Sequence, residues 1–418
     1  MSLLIIVHEA GHFLFAKLFH IRVEKFYLFF DVGGKALLKF KKGETEFGIG
    51  WLPFGGYCKI SGMIDESMDL ESMKKEPQEW EFRCHPAWQR LLVMAGGVLF
   101  NFIFAILAFS IISGIWGNAY IPNRQAQIYP NELARDMGFR SGDHIISIDD
   151  YEPSDFSSLQ ADLIRREGHK VQVLRGTDTV NVYMDQARTA EILNSPMMFD
   201  LALPFIVDSV SAPENAKELA RGDRILSIDG QSTEFFQDAQ PVLKACAGST
   251  AEAQILRDGQ VVTAPIQVDS TGRIGIYLKA PNVERRHYNA LESVGQGVKR
   301  TGSTITGYVQ DLKLVAKPST GAYKSVGSFI AIGQVFPSKW DWFQFLNIIA
   351  LLSIMLGVMN LIPIPGLDGG HILFTLYEMV SGRKPSEKFL MVMQIIGMFL
   401  LFMLMFLAFG NDISRLIK

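Results

Sequence analysis

"LLVMAGGVLFNFIFAILAFSIISGIW", residues 91 to 116, runs for 26 positions without a charged side chain. As a helix such a stretch reaches about 39 Å, more than the roughly 30 Å of a bilayer's hydrocarbon core, and uncharged runs of this length seldom occur in water-soluble domains. Two more stretches behave alike. Phe343 to Leu367 is uncharged and stops at Asp368, while Phe389 to Phe409 holds only Gln394 as an obvious polar interruption. A fourth run, Ser2 to Phe19, is shorter and contains His8, Glu9 and His12; at roughly 27 Å it crosses only if nearly upright. It lacks a cationic leader and an evident small-residue cleavage site, so it reads as a retained span rather than a removable signal peptide. The expected architecture is a multi-pass α-helical membrane protein with four transmembrane helices.

Composition agrees. Of 418 residues, 48% are hydrophobic and 20% charged, and the formal net charge of -3 supplies no basic field for nucleic acid. Cys58, Cys84 and Cys246 are too few and too scattered for a disulfide framework or a thiolate metal site. Positive charge near the span ends sets the orientation. Lys17, Arg22 and Lys25 follow the first span, Arg83 and Arg90 precede the second, and Arg383, Lys384 and Lys388 fill the loop between the last two. These flanks are expected to be cytoplasmic, with residues 118 to 342 on the external face.

The external segment repeats itself. "FRSGDHIISIDD" at 139 to 150 and "LARGDRILSIDG" at 219 to 230 share Gly142/Gly222, Asp143/Asp223, Ile145/Ile225, Ser147/Ser227, Ile148/Ile228 and Asp149/Asp229. In each copy a Gly-Asp turn feeds an alternating strand, so two copies of one small α/β domain are expected, at 118–202 and 203–280. The pattern resembles PDZ domains, which bind peptide termini by adding them as a strand to a sheet edge. A purely structural spacer is the plainer alternative. Residues 281–342, with apolar positions and cations scattered over Glu284 to Lys317, read as amphipathic linker helices on the outer membrane surface or as an ordinary connecting helix.

The chemistry lies in "VHEAGHFLFAKL", residues 7 to 18. On a helix, positions i and i+4 differ by only about 40° in azimuth, so His8 and His12 project from one face and can chelate one ion. Glu9 stands beside them, placed to take a proton from the attacking water. Ionisable groups in a membrane helix cost a few kcal/mol each unless partnered, which makes them functional candidates. Zinc suits two imidazoles, completed by one more protein ligand and an open position. That third ligand is sought in "NLIPIPGLDGGHILF", residues 360 to 374, where Pro363 and Pro365 break an uncharged span just before Asp368. Irregular backbone at membrane depth survives only when buried in protein or lining a wet cavity. Asp368 is therefore the expected ligand, with His371 its rival.

Taken together, HEAGH near the N-terminus, NLIPIPGLDGG in a late span and the tandem repeats between them resemble the site-2 protease family of intramembrane zinc metalloproteases, of the bacterial RseP type. The resemblance extends over nearly the whole chain, to the closing "NDISRL". It implies that His8, His12 and Asp368 bind one zinc ion and that Glu9 is the catalytic base. It further implies that Asn360 and the Pro363/Pro365 loop hold an unwound substrate. "FGIGWLPFGGYCKISG", residues 47 to 62, matches the family's membrane-associated β-hairpin, whose Gly48, Gly50, Gly55 and Gly56 would help present an edge strand to substrate. "GGVLFNF", residues 96 to 102, places Gly97 and Asn101 in the family's GxxxN segment, with Asn101 implied to bind substrate.

The implied activity is hydrolysis of transmembrane segments already pre-cleaved outside the membrane, in regulated intramembrane proteolysis at the bacterial inner membrane. The implied substrates are anti-sigma factors or signal-peptide remnants, with the PDZ-like pair on the periplasmic side and the active site towards the cytoplasm. Two other readings remain at the level of sequence. One is a non-catalytic PDZ membrane scaffold with a structural zinc; the other is a membrane-anchored peptidase acting on soluble external peptides.

Overall fold

The computed structural model describes residues 1–63, 76–195 and 197–417. The chain divides into two compact units, one of Met1–Gly117, His287–Lys317 and Tyr323–Lys418, the other of Asn118–Arg286 with Pro318–Ala322.

The first unit is built on helices α1 (Ser2–Leu18), α2 (Ala87–Ile115), α3 (Ala290–Ala316), α4 (Trp342–Leu361), α5 (Asp368–Ser381) and α6 (Glu387–Ile417). Three stretches, Ala87–Ile115, Trp342–Leu361 and Lys388–Ser414, are long and apolar enough to cross a membrane. The 17-residue α1 is not among them. It packs instead against α2 at a crossing of two glycines: a Cβ on Gly11 would run into the Gly96 carbonyl, and one on Gly96 into the backbone of Gly11. Such close approach of small residues is how helices associate where no hydrophobic drive separates them from lipid. On its other side α2 meets α4 through Ala105, Ala108, Phe109 and Ile112 against Ala350, Ile354 and Val358. Ser353 Oγ donates to the Asn101 carbonyl at 2.9 Å, so the hydroxyl is satisfied inside the bundle.

For residues 284 to 317 the sequence leaves open amphipathic helices on the membrane surface or an ordinary connecting helix. Most of them form the single helix α3, started by a capping box of Asn289 and Glu292. Its small-residue face lies on α2, where Gly297 admits the backbone at Ile106 and Ser110. Arg300 is held over the Phe109 ring at 4.4 Å and donates to Asn347 Oδ1 at 2.6 Å.

Between α1 and α2 stands a four-stranded sheet of β1 (Val23–Phe30), β2 (Ala36–Lys42), β3 (Thr45–Gly50) and β4 (Leu52–Ile60), in the order β2-β3-β1-β4. This corrects the expected hairpin over residues 47 to 62. β3 and β4 are consecutive in sequence but do not pair. β1 runs between them, parallel to β3 with Phe26 opposite Phe47, and antiparallel to β4 with Phe26 opposite Cys58. β3 is therefore interior, and β4 is an edge strand beside α1.

The second unit holds two separate apolar cores, one around Phe139, Ile145, Val173 and Phe199, the other around Phe205, Ile225, Ile255 and Ile266. His144–Ile148 pairs with Lys170–Arg175, as Arg224–Ile228 pairs with Thr250–Arg257. The residues shared by the two copies make the same bonds. Asp143 receives two hydrogen bonds from Arg175, both at 2.8 Å, and Asp223 receives two from Arg257 at 2.7 and 2.6 Å. Asp149 and Asp229 both take positive φ, 49° and 47°, a region aspartate tolerates in turns. Each accepts a backbone N–H from the neighbouring strand, from Lys170 at 2.9 Å and Glu252 at 2.7 Å.

Candidate metal centre

His8 and His12 sit one turn apart on α1, each only 6% exposed, facing the start of α5. The α4 helix ends at Leu361, the chain passes through Pro363 and Pro365, and α5 begins at Asp368. The three donor atoms converge. His8 Nε2 is 3.1 Å and His12 Nε2 3.3 Å from Asp368 Oδ2, and the two imidazole nitrogens are 3.3 Å apart. A tetrahedral zinc about 2.05 Å from each ligand sets its donors about 3.3 Å apart, so this triangle has the size of one face of a zinc tetrahedron. Asp368 Oδ2 is buried and receives no hydrogen bond, the mark of an oxygen directed at a cation.

The imidazoles are fixed from behind by α2. His12 Nδ1–H donates to the Val93 carbonyl at 2.8 Å, which leaves Nε2 with a free lone pair facing Asp368. Asn101 Nδ2 lies 3.1 Å from His8 Nδ1, while Asn101 Oδ1 is buried without a partner. Exchanging the two ends of that amide lets Oδ1 accept from Nδ1–H, which frees His8 Nε2 in the same way. Gly97 completes the back wall, because any Cβ there would collide with both histidine rings.

The site opens into a cavity of about 630 Å³ that Glu9 also lines. Glu9, half-buried, is engaged by the Cys58 backbone N–H of edge strand β4. Gly55 and Gly56 border the same space, and Gly55 takes φ +66°, which favours glycine. At the sheet's polar end Asp31 accepts from Lys25 Nζ at 2.6 Å and Tyr57 Oη at 2.5 Å. Burial alone would raise the Asp31 carboxyl, but these two donors hold it below the usual carboxylate range. Burial, reinforced by that carboxylate, pushes the Tyr57 hydroxyl up.

Of the residues singled out in the sequence, His8, Glu9, His12, Asn360, Asp368, Gly55 and Gly56 share this cavity. Asn360 Nδ2 lies 3.1 Å from His8 Nε2. His371 lines the cavity but is not part of the donor triangle. Gly48, Gly50 and Asn101 do not line the cavity; the glycines lie on interior β3, where Gly48 makes room for the Tyr27 ring, and Asn101 stands behind His8 on α2. Pro363 and Pro365 shape the turn rather than line the space, and the Pro365 carbonyl abuts α6 at Gly397. Sequence reading missed the Gly11–Gly96 crossing, the Gly397 contact and the Val93 carbonyl. Small residues in otherwise large-residue spans were the available signal for the first two. A backbone carbonyl leaves none.

Comparison with known proteins agrees with this arrangement. Peptidase family M50 matches residues 1–404. The chain belongs to that family; it is a zinc-dependent peptidase of the membrane-embedded kind. It is 30% identical over its whole length to "Protease RseP" of Yersinia pestis, covering 97% of that protein, and 28% identical, with the same coverage, to "Regulator of sigma-E protease RseP" of Salmonella typhimurium. It is also 28% identical over its whole length, again covering 97%, to a Vibrio cholerae protein provisionally named a zinc metalloprotease.

Proposed function

We propose that this chain hydrolyses peptide bonds within transmembrane segments of other membrane proteins, with His8, His12 and Asp368 holding one zinc ion and Glu9 acting as general base. The observation that carries the reading is the zinc-sized triangle of donors opening, beside Glu9, onto a cavity walled by an edge strand. Zinc bound there would polarise the scissile carbonyl and acidify the attacking water. Glu9 takes the proton from that water as it attacks the carbonyl, then delivers it to the leaving amine as the C–N bond breaks.

A helical substrate has every peptide group satisfied internally, so it must unwind before its carbonyl can be reached. The free edge of β4, at Gly55 and Gly56, offers backbone groups to the exposed segment, and the Asn360 amide offers a donor and an acceptor. Gly48 and Gly50 act through the fold of the sheet rather than by contact. In this reading α1 is the fourth membrane segment. The basic flanks meet at one end, where Lys384 Nζ donates to the Arg83 carbonyl at 3.2 Å and Arg90 pairs with Glu378 at 2.5 Å, which supports a cytoplasmic position for that end and for the metal. The location is then the bacterial inner membrane. The repeats at 118–202 and 203–280 act as PDZ-like modules on the periplasmic side that take peptide termini and screen substrates by bulk. Pre-cleaved anti-sigma factors or signal-peptide remnants fit such a site.

A structural zinc in a non-catalytic scaffold is disfavoured, since structural sites are closed by four protein ligands and need no adjacent carboxylate such as Glu9. The test is cleavage of a transmembrane reporter by the wild type and by Glu9→Gln in the same membranes. Loss of cleavage in Glu9→Gln is expected; equal cleavage by both removes Glu9 from the chemistry.

A further inference from the structure

Of the three described helices long and apolar enough to cross a membrane, the last is the most apolar and the least buried, with Phe399, Met403 and Phe406 61 to 70% exposed. One residue on it breaks the pattern. Gln394 is a primary amide about two turns into that apolar helix, and it is only 4% exposed. It lines the cavity that holds His8, Glu9, His12 and Asp368, and no hydrogen bond among the described residues engages its amide. Three residues on, and so on the same side of α6, Gly397 rests against the Pro365 carbonyl, which fixes that side of the helix towards the turn before Asp368. An amide buried at membrane depth without partners costs a few kcal/mol. Its amide brings two donors and an acceptor to the wall of that cavity.

We propose that Gln394 is a substrate-holding residue, whose amide hydrogen-bonds the peptide groups that an unwound transmembrane segment exposes on entering the cavity. This deepens the proteolytic reading above and rests on it. The ligand chemistry is specific. A continuous helix presents no free peptide N–H or C=O to an amide, whereas an opened one presents both within a turn of the break. Gln394 thus supplies from α6 what β4 and Asn360 supply from the other walls, and it favours substrates whose spans open easily. Because the bonds form when the segment is captured and persist through the reaction, their loss weakens binding without slowing the chemical step.

The experiment uses full-length protein reconstituted in liposomes with a transmembrane reporter peptide. Gln394→Met, which keeps length and flexibility, should raise KM five- to tenfold with kcat within twofold and one zinc retained per chain. Gln394→Glu, which loses the amide donors, should raise KM likewise. In the Glu9→Gln background, Gln394→Met should weaken reporter binding by the same factor, a readout independent of turnover. Wild-type KM and binding in both variants would overturn the proposal, as would loss of zinc in either, which would make Gln394 a support of the metal centre. If the wild type itself fails to cut the reporter, the proteolytic reading fails instead, while the binding comparison still tests Gln394.

Discussion

His12 Nε2 and Asp368 Oδ2, from opposite ends of the chain, lie 3.3 Å apart across the junction of α1 and α5. If that pair and His8 hold the metal, purified Asp368→Ala and His12→Ala should each lose bound zinc. His371→Ala should keep it, being outside the donor triangle. Metal content of the three variants, measured after identical purification, checks the assignment.

Glu9→Gln should keep one zinc per chain and full substrate binding while lowering turnover by about 10²- to 10⁴-fold, the usual contribution of a positioned base. Single-turnover cleavage beside zinc content separates this from a folding defect. Loss of zinc along with activity would place Glu9 among the ligands.

Gly97→Ala should be more harmful than its single added methyl group suggests. The new Cβ would collide with both imidazoles from behind, so α1 must move off α2 or the rings must turn. Zinc affinity is expected to fall at least 10- to 100-fold, the range seen when outer-shell support is lost. A competition titration with a chelator measures it.

The Asp223–Arg257 pair makes the second repeat acid-sensitive. Burial by itself would raise the Asp223 carboxyl, but bonds from Arg257 and the Ala220 N–H hold it below the usual range. A carboxyl depressed on folding adds stability at pH values above its unfolded pKa, near 3.9, and that stability is lost as pH falls through the lower folded value. Asp223→Asn should cost about 2 kcal/mol at neutral pH through loss of charged hydrogen bonds, and the difference from wild type should shrink towards pH 2. Hydrogen exchange over residues 224 to 257, corrected for intrinsic rates, reports both.

The membrane spans were legible because they depend on composition over many residues, which tertiary contacts scarcely alter. HExxH was legible because helical spacing alone aligns His8 and His12, and Asp368 because Pro363 and Pro365 break an uncharged run beside it. The sheet was not. Gly48 to Cys58 carries turn residues between two apolar stretches and so resembles a hairpin, yet β3 pairs with β1, a parallel partner some twenty residues earlier in the chain. Pairing at that distance brings together side chains far apart in sequence, such as Phe26 and Phe47 with ring centroids 5.8 Å apart and planes tilted by 47°, and no local signal announces it. The docking of α3 on α2 was hidden for a similar reason: Gly297 has meaning only once the surface it admits is known.

The wide separation of His8 and His12 from Asp368 along the chain has a consequence for biosynthesis. If His8, His12 and Asp368 together hold the metal, a ribosome that has finished α1 has delivered both imidazoles but not the carboxylate, and the nascent polypeptide stays inert until residue 368 emerges. Cutting power therefore arrives at almost the last moment of translation, and premature termination anywhere upstream yields a harmless fragment.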